Sequence, residues 1–250
     1  DDALWLEIDA AGWQRARIHL EKLLVADDVE FDDSGETSVI NIEGPNAGGA
    51  VRAIAVETAN LPASSRFIAA GDLLVGNLDR YGAPAFSVLT PRGKADAISA
   101  RLASAVPGGK QIGAAVLDTI RIENGLARVG VDTTERTLAL EARMERAISF
   151  NKGCYVGQET IERATARGAL KKRLMGLKFA GGELPALGTP VFHGGKEAGR
   201  ITSVALSPRA GAIGLAMLNH SVWTPGTEVA VTENNGNRAA VVSDLPFERN

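Results

Sequence analysis

The sequence predicts an α+β protein, with a ferredoxin-like α+β domain first and a small antiparallel β-barrel or sandwich last. Three observations carry this. Strand and helix patterns alternate through about residue 108 as two βαβ-like units, the second split by a hairpin. Residues 109–170 break that alternation and hold a glycine loop around a lone cysteine. From Leu174 onward helical periodicity fades, and Gly181-Gly182, Gly194-Gly195, Pro225-Gly226 and Asn234-Asn235-Gly236 cut the chain into short apolar segments.

The elements follow in order. Leu4 to Ile8 reads as a short strand of mixed burial. Trp13 to Leu24 reads as a helix whose apolar face runs through Ala16, Ile18, Leu20, Leu23 and Leu24. Val29 to Phe31 starts a second strand, Asp32-Asp33-Ser34-Gly35 turns, and Thr37 to Ile42 is the next strand. Gly44-Pro45-Asn46 opens a helix through about Val56, with Pro45 suited to its first turn. Phe67 to Leu78 and Ala85 to Leu89 form two strands of a meander, and Lys94 to Ala105 is a helix stopped by Pro107-Gly108-Gly109. Ile112 to Ile122 is helical and ends at Glu123-Asn124-Gly125. Three domains result: 1–108, 109–170 and 171–250, the last boundary near Lys171.

The totals bound the function. With 27 Lys+Arg against 30 Asp+Glu the net charge is −3, which argues against a nucleic-acid or anionic-membrane binder overall. One cysteine cannot form an internal disulfide, which fits a reducing compartment such as the cytoplasm. No apolar run is long enough to cross a bilayer, and the start does not resemble a signal peptide. Residue 1 is Asp, so the natural N-terminus is expected further upstream.

The chemistry concentrates in Lys152-Gly153-Cys154-Tyr155-Val156-Gly157-Gln158-Glu159. Two glycines let the loop turn tightly and a ligand approach the backbone. Cys154 is either a reactive thiol activated by Lys152 and nearby N–H groups, or a small hydrophobe packed under the loop. No local His or second Cys completes a metal site. His19, His193 and His220 make only a weak Cys–His pair. Glu123 either accepts two N–H bonds from a heterocycle such as a pterin, or pairs with Arg121 or Arg128 on the surface. Arg163, Arg167, Lys171, Lys172 and Arg173 suit phosphates or carboxylates, or simply solvate a helix face. Gly44-Pro45-Asn46-Ala47-Gly48-Gly49 lacks the Gly-Lys-Ser/Thr ending of a P-loop and the spacing of a dinucleotide fingerprint.

The cysteine octapeptide resembles the signature of the YgfZ family of folate-binding proteins, which includes the mitochondrial factor that helps mature four-iron clusters. Arg121-Ile122-Glu123-Asn124-Gly125 is similar to the Arg-Ile-Glu-x-Gly segment of the wider aminomethyltransferase (glycine-cleavage T-protein) superfamily. Arg167-Gly168 with Lys172-Arg173, Gly199-Arg200-Ile201-Thr202-Ser203 and Leu245-Pro246-Phe247 resemble its downstream basic segment and barrel. The resemblance covers most of the chain.

It implies three modules around a central hole that binds tetrahydrofolate, with a C-terminal barrel and no metal. Glu123 would contact the pterin, and Cys154 with Lys152 would face the cavity. Gly153, Tyr155 and Gln158 count with them among the folate-binding residues, and Arg167 would attract the glutamate tail. The family also has a segment upstream of Leu4 that supplies folate contacts and, in T-proteins, a catalytic aspartate; the sequence does not contain it. The expected function is a tetrahydrofolate-binding accessory protein of iron–sulfur cluster assembly or repair, with folate and iron–sulfur client or assembly proteins as partners. It would be cytoplasmic, or in the mitochondrial matrix if eukaryotic. One alternative is an aminomethyltransferase of the T-protein type. The other is a tRNA- or polyanion-binding module, against which the acidic net charge counts.

Overall fold

The structure is a computed structural model that describes residues 4–8, 10–26, 28–32, 35–55, 61–78, 80–81, 83–166, 170–233 and 236–248. It is α+β, with a four-stranded antiparallel sheet, a mostly helical and turn-rich middle, and a closed six-stranded antiparallel barrel.

The N-terminal part begins with α1 (Trp13–Glu21). β1 (Thr37–Glu43) leads to α2 (Ala47–Ile54), then β2 (Phe67–Ala70), β3 (Leu73–Asn77), β4 (Ala85–Pro91) and α3 (Ala95–Ala105). The strand order is β1-β4-β3-β2, and every neighbour pair is antiparallel. Period-2 alternation sorts the side chains. Ile40, Ile42, Val75, Phe86 and Val88 face α2 and α3 and form one core with Val51, Ile54, Ile98 and Leu102. Val39, Phe67 and Leu89 take the opposite face.

Several expectations change here. Leu4–Ile8 and Val29–Phe31 carry no strand among the described residues, and Leu4 is 96% exposed, so the first of the two βαβ-like units is not built. An apolar pentapeptide extends only where a neighbouring strand can take its backbone groups, and the sheet ends at β1 and β2 instead. The helix at Trp13 forms but buries none of its residues. Phe67 to Leu78 is two strands, because Gly71 at φ 62° closes a tight turn with Asp72 that the flanking apolar residues conceal. The helix expected through Val56 ends at Ile54, and Val56 lies outside the described residues.

α4 (Ala114–Glu123) ends on Asn124 and Gly125. The Leu126 N–H bonds to the Arg121 carbonyl at 3.0 Å and the Gly125 N–H to the Ile122 carbonyl at 2.9 Å, a Schellman closure that needs Gly125 at φ 68°. A Cβ on Gly125 would also stand 2.5 Å from the Leu245 side chain. α5 (Gln158–Ala166) follows the cysteine loop.

The barrel comprises β5 (Lys172–Phe179), β6 (Pro190–His193), β7 (Lys196–Ser207), β8 (Gly211–Asn219), β9 (Glu228–Glu233) and β10 (Gly236–Ser243). They close in the order β10-β5-β8-β7-β6-β9, which removes the free edges an open sheet would expose. Leu177, Val191, Leu218 and Val231 fill its interior with no solvent exposure. A second apolar cluster of Ile122, Leu174, Ile213, Leu215, Leu245 and Phe247 glues α4 and the C-terminal segment to the barrel wall.

Candidate functional site

The joint between α4 and the barrel is polar at its centre. Arg121 is buried and donates in four directions: to Asp118 at 2.8 Å, Asp132 at 2.7 Å, the Leu126 carbonyl at 2.8 Å and Ser203 at 2.8 Å. Asp132, with no side-chain exposure, also accepts from the Arg128 N–H at 2.9 Å, from Ser203 at 2.7 Å and from Thr202. Adjacent strand residues normally point to opposite faces, yet Thr202 and Ser203 serve one carboxylate. A register shift between Ile201 and Ser203 turns both hydroxyls the same way. With every partner supplied, the buried charges are compensated and α4 is fixed in rotation.

That rotation presents Glu123. It pairs with neither Arg121 nor Arg128; Arg128 goes to Asp118 at 3.1 Å. Its Oε1 instead accepts from the Ser207 hydroxyl at 2.5 Å, and its backbone carbonyl accepts from the Phe247 N–H at 2.9 Å. Oε2 has no protein partner among the described residues. Beside it lies a crevice of about 10 Å³ lined by Glu123, Asn124, Arg209, Ala210, Phe247 and Glu248.

A larger cavity of about 710 Å³ lies on the open face of the four-stranded sheet. Val39, Phe67, Leu78 and Leu89 give it apolar walls, and Trp5 joins them from the N-terminal segment. Its polar side is the Glu7–Arg80 ion pair, and Arg80 also donates to the buried Ser87 hydroxyl at 2.7 Å. Burial disfavours the Arg80 charge, but the Glu7 carboxylate outweighs this and raises its pKa. Next to it, burial pushes the Tyr81 phenol up, Glu43 adds to the shift, and Arg80 and Arg121 oppose it.

The cysteine loop is separate in its contacts. Cys154 is exposed, which overturns the reading of it as a hydrophobe packed under the loop. The Lys152 ammonium sits over the Tyr155 ring, 5.0 Å from its centroid. The Tyr155 N–H donates to Gln158 Oε1 at 3.3 Å, so Gln158 caps its own loop. Gly153 is exposed beside Cys154. Neither of the two cavities has a residue of this loop in its lining, and the 710 Å³ cavity excludes Glu123 as well. Arg167 lies outside the described residues. The basic run is answered locally: Arg163 by Glu159 at 3.4 Å, Arg173 by Glu145 at 3.4 Å, and Lys172 by Glu141 at 3.9 Å. No group of three or more His, Cys, Asp or Glu residues is placed to hold a metal among the described residues. No helix there is long and apolar enough to cross a membrane.

Sequence reasoning missed Ser207, Asp132 and the Arg80–Glu7 pair. Their only signal is the pairing of polar residues from distant segments, which a single sequence does not display.

Residues 172–248 match the glycine cleavage T-protein C-terminal barrel domain. An aminomethyltransferase of Rubrobacter xylanophilus is 30% identical over 249 residues, a match covering 97% of this chain and 65% of the relative. The chain is thus similar to glycine-cleavage T-proteins along nearly its whole length, and its last third carries their C-terminal barrel domain. An aminomethyltransferase of Streptomyces avermitilis is 28% identical over 237 residues, covering 89% of this chain and 63% of that protein. The chain thus spans less than two thirds of the length of either relative. The crystal structure of the glycine cleavage system aminomethyltransferase T from Bartonella henselae shares its fold, with a TM-score of 0.82 at 24% identity over 96% of this chain and 67% of that one. None of these relatives is named for iron–sulfur work.

Proposed function

We propose that this T-protein-like chain binds tetrahydrofolate and takes part in aminomethyl transfer, moving a one-carbon unit from an aminomethyl donor to the folate. The observation that carries the reading is Glu123: its Oε1 is fixed by the barrel and its Oε2 has no protein partner among the described residues. A carboxylate held this way suits the amidine-like N–H edge of a pterin, and the similarity to aminomethyltransferases over nearly the whole chain supports that ligand. Bound tetrahydrofolate supplies the amine nitrogens that receive the one-carbon unit. The chain's contribution is orientation and an electrostatic setting for developing positive charge. The Arg121–Asp132 lock holds α4, and α4 holds Glu123.

Calorimetric titration with tetrahydrofolate tests this. We expect saturable binding that Glu123→Ala weakens by at least about tenfold, the scale of a lost charge-assisted hydrogen bond. Turnover of an aminomethylated lipoyl carrier to methylenetetrahydrofolate tests the transfer. Absence of any saturable heat with the unsubstituted chain defeats the reading.

A second reading rests on Cys154: a folate-binding accessory protein of iron–sulfur assembly or repair, with the exposed thiol as its working group. Folate binding without transfer to the lipoyl carrier, together with loss of cluster-dependent activity in cells carrying Cys154→Ser, would favour it. Robust transfer by Cys154→Ser protein would favour the first.

A further inference from the structure

We infer that Ser207 is a positioning residue for the ligand-binding carboxylate of Glu123, an inference that rests on the folate reading above. A serine hydroxyl has one proton to give and two lone pairs to receive. Ser207 Oγ receives the backbone N–H of Arg209 at 3.0 Å and that of Ala210 at 2.9 Å. Both lone pairs are then used, and the single proton points to Glu123 Oε1 at 2.5 Å. The hydroxyl has no alternative rotor state that keeps all three bonds.

The setting reinforces this. Ser207 is 4% exposed and ends β7, and Pro208 fixes the backbone at the start of the turn into β8. The Phe247 N–H holds the Glu123 carbonyl from the other side. The barrel therefore aims the carboxylate through one hydroxyl whose three bonds all go to protein groups. Without that hydroxyl the carboxylate regains rotamer freedom that a ligand must then remove.

A double-mutant cycle tests the inference, with tetrahydrofolate affinity read by calorimetry and folding checked by thermal melting. Ser207→Ala is expected to raise the Kd about tenfold in the unsubstituted background, the loss of one charge-assisted hydrogen bond. In a Glu123→Ala background the same change is expected to shift the Kd less than about twofold, because its effect passes through the absent carboxylate. Ser207→Thr keeps the hydroxyl and is expected to restore affinity to within about threefold. Equal losses in both backgrounds would make Ser207 a structural residue and overturn the inference, as would unchanged affinity in folded Ser207→Ala protein. If Ser207→Ala melts out, Ser207→Thr decides: a folded variant with tenfold weaker binding also overturns it. Those outcomes leave folate binding by Glu123 intact, whereas no binding by the unsubstituted chain removes both.

Discussion

The barrel and the four-stranded sheet are both antiparallel, but they solve burial differently. The barrel closes on itself, so each strand has two neighbours and its inward side chains meet others from every direction. Leu177, Val191, Ala216, Leu218 and Val231 reach zero exposure there. The sheet has two edges and one covered face. α2 and α3 seal the side of Val75 and Val88, while Val39 on the other side is 45% exposed. Closure makes the barrel a rigid reference, and the Glu123 carboxylate is tied to it. The sheet keeps an open face, and the large cavity lies there.

The most damaging change to this arrangement is predicted at the joint. Asp132→Ala leaves Arg121 buried with one carboxylate partner, Asp118, and frees Thr202 and Ser203 from theirs. We expect a loss of about 3–5 kcal/mol, the cost of breaking a buried ion pair from one side. Urea unfolding followed by circular dichroism measures it, with tryptophan fluorescence, to which Trp223 packed against the barrel core contributes, as a second probe. A loss below about 1 kcal/mol would mean that the joint is held by its apolar contacts alone.

Next in size is the contrast between the two sheets themselves. Leu218→Ala removes a barrel-interior side chain with no exposure and is expected to cost about 2–5 kcal/mol. Val39→Ala, on the open face, is expected to cost less than about 1 kcal/mol, because much of its surface already meets water. Paired urea titrations of the two variants decide this. Similar costs would show that the open face is covered in solution.

The same contrast explains what a reader of the sequence can recover. Barrel strands between glycine and proline turns are visible because period-2 burial and turn chemistry are both local. The helix ending at Glu123-Asn124-Gly125 is visible for the same reason, since a Schellman closure needs its glycine. Leu4–Ile8 misleads because apolar residues alone do not supply a neighbouring strand, and here none is present. The hairpin at Gly71 hides inside an apolar run. At the site, Glu123 is legible from its segment, whereas its partner Ser207 lies 84 residues away and is set by barrel register. Thr202 and Ser203 act together only because of a register shift, which no residue type announces. Exposure of Cys154 depends on how its loop packs, which glycine flanks leave open.

The smallest expected effect is electrostatic and lies where the chain leaves the barrel. Burial raises the Asp244 pKa, but the Leu245 N–H at 2.8 Å and the Arg143 guanidinium at 2.7 Å outweigh it and hold the carboxyl below its ordinary value of 3.8. A carboxyl depressed in the folded state stabilises the fold above its unfolded pKa, and that contribution is lost as pH falls through the folded value. Asp244 is 66% exposed, so solvent screens the pair and its worth at neutral pH is below about 1 kcal/mol. Asp244→Asn is therefore expected to be slightly less stable than the parent near neutral pH, with the gap closing as pH falls through the lowered Asp244 pKa, below which both carry a neutral side chain. Added salt should narrow the neutral-pH gap as well. A gap that stays constant from neutral to acid would assign the contribution of Asp244 to hydrogen-bond geometry, with charge playing no part, and the tail would then be held to the barrel by Leu245 and Phe247 packing against Gly125 and Gly176.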